Sequence, residues 1–113
     1  MSFTLNQLLE FAARSGSIDK IRERVALGAD PAESGALLVA VSNDHPEIVQ
    51  LLLELGANPN MRDAHGHGAL EYALRNRKPD IARLLINHGA RLAHHSRPHW
   101  QQQLAELLKG HPV

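Results

Sequence analysis

Apolar residues crowd into two runs, Leu51-Leu52-Leu53-Glu54-Leu55 and Leu84-Leu85-Ile86-Asn87-His88, each closed by a glycine and an alanine, Gly56-Ala57 and Gly89-Ala90. The two glycines stand 33 residues apart. The same offset lays Leu37 on Leu70, Ala40 on Ala73, Asn43 on Asn76, Glu47 on Asp80 and Ile48 on Ile81. Whole units are superimposed, and a fixed period of this length is the mark of a repeat solenoid. An earlier copy runs through Ala12-Ala13-Arg14-Ser15-Gly16 and Val25-Ala26-Leu27-Gly28-Ala29-Asp30, with its closing glycine 28 residues before Gly56. The first connection is therefore five residues short.

The pattern predicts paired helices. Thr4-Leu5-Asn6-Gln7 reads as a capping box, and Leu5, Leu8, Leu9, Ala12 and Ala13 share one face of the helix it opens, which Gly16 ends. A second helix, about 18–27, carries Lys20, Glu23 and Arg24 where the later copies have Ile48, Leu51 and Leu52. That face suits water, as a terminal unit requires. Further helices are predicted over about 36–43, 46–55, 69–76 and 79–88, the second and fourth opening on Pro46 and Pro79, where a missing N–H costs nothing. Pro98 to Lys109 reads as a closing helix with Leu104, Leu107 and Leu108 inward, ended by Gly110. Trp100 is placed over the end of the core.

The unit Asp63-Ala64-His65-Gly66-His67-Gly68-Ala69-Leu70-Glu71-Tyr72-Ala73-Leu74, followed by Asp80-Ile81-Ala82-Arg83-Leu84-Leu85-Ile86 and Gly89-Ala90, resembles the ankyrin repeat. The resemblance covers nearly the whole chain. It implies an all-α helical repeat solenoid with short β-hairpin-like fingers, divided into repeats of about 4–30, 31–62 and 63–95 and a capping helix of about 98–110 within a single domain of 1–113. Where the family carries Thr-Pro-Leu-His, this chain reads Gly35-Ala36-Leu37-Leu38 and Gly68-Ala69-Leu70-Glu71, so it lacks the family's threonine–histidine hydrogen bonding.

Composition narrows the function. Twelve basic and twelve acidic side chains cancel, whereas nucleic-acid and membrane-surface binders usually carry an excess of Lys and Arg. No cysteine is present, so disulfide and thiolate chemistry are absent. No apolar run approaches the roughly 20 residues of a membrane span, and the N-terminus lacks the layout of a signal peptide, so a cytoplasmic address is expected. Arginine outnumbers lysine nine to three, a usage common in GC-rich genomes and a hint of a bacterial source.

Eight histidines raise the question of metal, above all His65-Gly66-His67 and His94-His95, with His99 a repeat away from the first pair. A tetrahedral site needs more ligands and an oriented surround, and these histidines fall on a finger, so no metal or cofactor is expected. No nucleophile elbow or phosphate-cradling loop appears, and catalysis is not expected either; a histidine-dependent metalloenzyme is the alternative from a different class.

What the ankyrin resemblance implies instead is a protein-binding surface made of finger tips and the last turns of the inner helices. Here those positions are Arg14 and Ser15, Ser42 and Asn43, Arg62, Ala64, His65 and His67, Arg75 and Asn76, and His95. None is acidic. In a chain of balanced charge this points to a partner with an acidic surface, bound by a monomer. The partner is either that of a general adaptor or an enzyme or toxin occluded by an immunity-type inhibitor.

Overall fold

The computed structural model describes residues 2–92 and 98–109. Within them the helices are α1 (Leu5–Ser15), α2 (Ile18–Ala26), α3 (Ala36–Ser42), α4 (Pro46–Glu54), α5 (Ala69–Arg75), α6 (Pro79–Asn87) and α7 (Pro98–Lys109). Each ends within a residue or so of its predicted position. The stack measures 44 × 31 × 19 Å.

Local chemistry sets the helix ends. Thr4 accepts from the Gln7 amide at 3.1 Å while the Gln7 side chain accepts from the Thr4 amide at 2.8 Å, completing the capping box. Ser17 caps α2 through the Lys20 amide. Gly16 takes φ 76°, a left-handed conformation that opens the turn from α1 into α2. The two later copies of that turn put Asp44 (φ 58°) and Arg77 (φ 56°) at the same place, where a side chain costs about 1 kcal/mol or more.

Helices α1, α3, α5 and α7 form one layer, each packed on the next, and α2, α4 and α6 back them. The core lies between the layers and is built from Leu9, Ile21, Leu37, Val41, Ile48, Val49, Leu52, Leu70, Ile81 and Leu85, all fully buried. Trp100 closes its far end, as its place in the sequence predicts. Lys20 and Glu23 are exposed as expected of a terminal unit, and Arg24 lies along the surface against Glu23 at 2.5 Å. At the same end Phe3 and Phe11 stack edge to face, half exposed. His94, His95, Gly110 and the side chain of Leu108 lie outside the described residues.

Candidate functional site

The two connections from an outer helix to the next inner helix differ in build. Residues 27–35 contain only turns, held from outside by α1. The Asn6 side chain accepts from the Asp30 amide at 2.8 Å, and Glu10 Oε2 accepts from the Gly35 amide at 3.1 Å. Buried Ser34 accepts from the Ala36 amide, starting α3. No finger projects from this connection: the five residues it lacks leave no length for one.

Residues 55–68, by contrast, fold back on themselves. Arg62 and Gly68 form an antiparallel bridge, and the Asp63 amide donates to His67 O at 2.9 Å. Asp63 Oδ1 accepts from the amides of His65 and His67, turning the tip, and Gly66 takes φ 81° within it. Asp63 Oδ2 accepts a short hydrogen bond from the Tyr72 hydroxyl. That bond, then the His67 amide, draws the Asp63 carboxyl down from 3.8 to about 2, and the same bond pushes the Tyr72 phenol up.

Glu71 takes the place of the missing threonine–histidine bonding. Its carboxylate, itself buried, accepts from the Gly68 amide at 3.2 Å and from Arg62 Nη1 at 2.6 Å. Arg62 also donates to Gly66 O. The guanidinium therefore ties finger to helix, and two carboxylates, Asp63 and Glu71, stand within a strip whose selected positions held none. Arg62 contributes little net charge to that strip once paired with Glu71.

The remaining predicted residues fall into two sets. His65 and His67 lie with their rings 6.4 Å apart, His67 meets Tyr72 edge to face at 5.9 Å, and Arg75 lies over the Tyr72 ring at 4.9 Å. These four side chains form a continuous run from finger to the end of α5. Arg14, Ser42 and Arg75 occupy equivalent places in the last turns of the neighbouring helices α1, α3 and α5, and Asn43 and Asn76 follow as exposed caps. Asn43 donates back to Val39 O, and Ser15 to Ala12 O. Ala64 is exposed beside His65.

Sequence reasoning passed over Tyr72, the residue that joins the finger to Arg75. The available signal was its position, one helical turn before Arg75 and nine residues after Asp63, with an aromatic ring in a chain that has few. Among the described residues no three His, Asp, Glu or Cys side chains are grouped so as to hold a metal ion, and His65, His67 and His99 do not converge. No helix among them is long and apolar enough to cross a membrane.

Two comparisons bear on this architecture. A family model described as ankyrin repeats in three copies matches residues 9–95. A protein of Pyrobaculum aerophilum named for its ankyrin repeats is 42% identical over 64 residues, which make up 55% of this chain and 25% of that protein. The aligned part thus spans about a quarter of the relative's length.

Proposed function

The chain belongs to the ankyrin repeat family, whose members generally mediate protein–protein interaction, and from that premise we propose that it is a non-catalytic module binding an acidic surface of a partner protein. Repeats 4–30, 31–62 and 63–95 with the helix that follows act together as one monomeric binding unit of the cytoplasm. The contact residues are Arg14, Ser42, Asn43, His65, His67, Arg75, Asn76 and His95, with Arg62 holding the finger in shape behind them.

The observation that carries this reading is the run of exposed His65, half-buried His67 and Tyr72, and exposed Arg75 beside the row Arg14, Ser42 and Arg75. Tyrosine and arginine are the side chains that most often anchor protein interfaces, since each offers a broad rigid surface together with polar reach. The Tyr72 hydroxyl is already bonded to Asp63, so the ring is held in place before a partner arrives, and less entropy is lost on binding.

Affinity capture with the intact chain, followed by titration of the captured partner, tests the proposal. Arg75→Glu is expected to weaken binding more than about 10-fold, or 1.4 kcal/mol. Affinity is expected to fall with added salt. Arg22→Glu makes the same charge change on the outer helix α2 and is expected to leave this interaction unchanged. A partner that tolerates Arg75→Glu and is lost with Arg22→Glu would place recognition on the outer helices and sink the assignment.

A further inference from the structure

A cavity of about 480 Å³ opens between α5, α6 and α7, at the end of α5 where the chain turns into α6. Its walls differ in chemistry. One carries Arg77, Lys78 and Arg83; the opposite one, on α7, carries Gln103 and Glu106. Ala73, Leu74, Pro79 and Leu107 supply apolar surface between them.

The polar groups here are incompletely matched. Arg83 Nε and Gln103 Oε1 are both buried without a hydrogen-bond partner among the described residues, one a donor and one an acceptor. Native proteins leave few such atoms unsatisfied, and each calls for a cause. Among the described residues Arg83 otherwise pairs with Asp80 at 3.7 Å, whose side chain is 92% exposed. Lys78 pairs with Asp44 at 2.9 Å across a half-exposed surface. Pairs of this kind are weak enough to be exchanged for a better ligand. The Arg77 side chain has no ion-pair or hydrogen-bond partner among the described residues, and the residue sits at the left-handed turn position that Gly16 fills in the first unit.

We propose that this cavity binds a peptide segment of a partner protein in which an aspartate or glutamate lies beside an apolar residue. The ligand carboxylate meets the guanidinium groups of Arg77 and Arg83, which are suited to planar oxyanions. A backbone N–H of the same segment donates to Gln103 Oε1, and a second donates to Glu106. The apolar side chain rests on Leu74 and Leu107. Glu106 favours a peptide over a free anion: its carboxylate accepts from the amide donors that a peptide carries and that phosphate lacks. The site shares no lining residue with the finger surface and lies at the opposite end of α5 from His65 and His67, with Arg77 following Asn76 directly.

The test is titration of the ¹⁵N-labelled full chain with the N-acetylated, C-amidated tetrapeptide Leu-Glu-Leu-Glu, read by amide shifts. Saturable shifts at Ala73, Arg77, Gln103 and Leu107 are expected, with His65 and His67 still. The glutamine counterpart Leu-Gln-Leu-Gln is expected to bind at least 10-fold more weakly, as is the acidic peptide to the doubly substituted Arg77→Gln, Arg83→Gln chain, whose fold is monitored in the same spectra. Equal binding of the glutamine peptide, retention of binding by the double variant, or shifts confined to the finger would overturn the proposal. Inorganic phosphate is the second probe: affinity for the same residues matching that of the peptide would mean an anion site only, and the peptide assignment would fall.

Discussion

The connection at 27–35 and the finger at 55–68 perform one task, returning the chain from an outer helix to the next inner helix, by opposite means. The shorter one has too few residues to satisfy its own amides and relies on Asn6 and Glu10 of α1. The longer one is closed by its own Arg62 and Asp63 together with Glu71 and Tyr72 of the helix it enters. A connection held by its neighbour has nothing left to project. A connection that holds itself can place His65 and His67 in solvent, so five residues separate a structural splice from a recognition element.

Both connections hang on the same core, and the largest expected effect tests that. Leu52 is fully buried, and Leu52→Ala removes three carbons and leaves a cavity at a cost of about 2–5 kcal/mol. In a stack this small such a loss approaches the whole stability. Hydrogen exchange should show the amides of Gly35 and His67 losing protection together. An unchanged melting temperature would mean that Leu52 is not a core residue, and protection lost at one connection alone would mean that the two do not share a core.

Removing one acceptor from each connection separates them. Glu71→Ala deprives the buried Gly68 amide of its partner and frees Arg62, for about 2 kcal/mol. Glu10→Ala removes the acceptor of a less buried amide that water reaches, for about 1 kcal/mol. Urea unfolding measures the totals, and exchange at the His65 and His67 amides against those of Gly35 and Ala36 locates them. The contrast between self-held and neighbour-held connections fails if Glu10→Ala loosens the finger, or if Glu71→Ala loosens residues 30–36.

How much of this the sequence revealed follows from what kind of signal each feature leaves. Helices leave periodicity, capping residues and a 33-residue echo, so Thr4, Gly16, Pro46 and Pro79 mark their ends plainly. The missing five residues announced an abnormal first connection. They did not announce that Asn6 and Glu10 hold it, because partners 24 and 25 residues apart carry no period. Arg62 was selected for its charge and position alone. Its pairing with Glu71 depends on the finger folding back, which brings a residue nine positions away within 2.6 Å. The same fold brings Asp63 to Tyr72, and with it the bridge from finger to α5 that spacing along one helix does not encode.

The smallest effect concerns that last contact. Asp63 has its folded pKa drawn from 3.8 to about 2, chiefly by the Tyr72 hydroxyl and then by the His67 amide. A depressed carboxylate pKa means that the folded state favours the ionised form. The stabilisation is therefore complete above about pH 4 and is lost as pH falls from there toward 2. A shift of this size corresponds to about 2 kcal/mol at most, and screening in a part-exposed loop reduces it to about 1 kcal/mol. Asp63→Asn keeps the acceptor oxygen but not the charge, so its melting temperature should lie a few degrees below that of the unaltered chain near pH 6. The gap should narrow below pH 4 and nearly close by pH 2. Tyr72→Phe removes the largest contributor and should move the acid limb of the unaltered chain upward in pH. A gap that stays constant from pH 6 to 2 would mean that the charge on Asp63 does not hold the finger closed, leaving the amide bonds at its tip as the fastening.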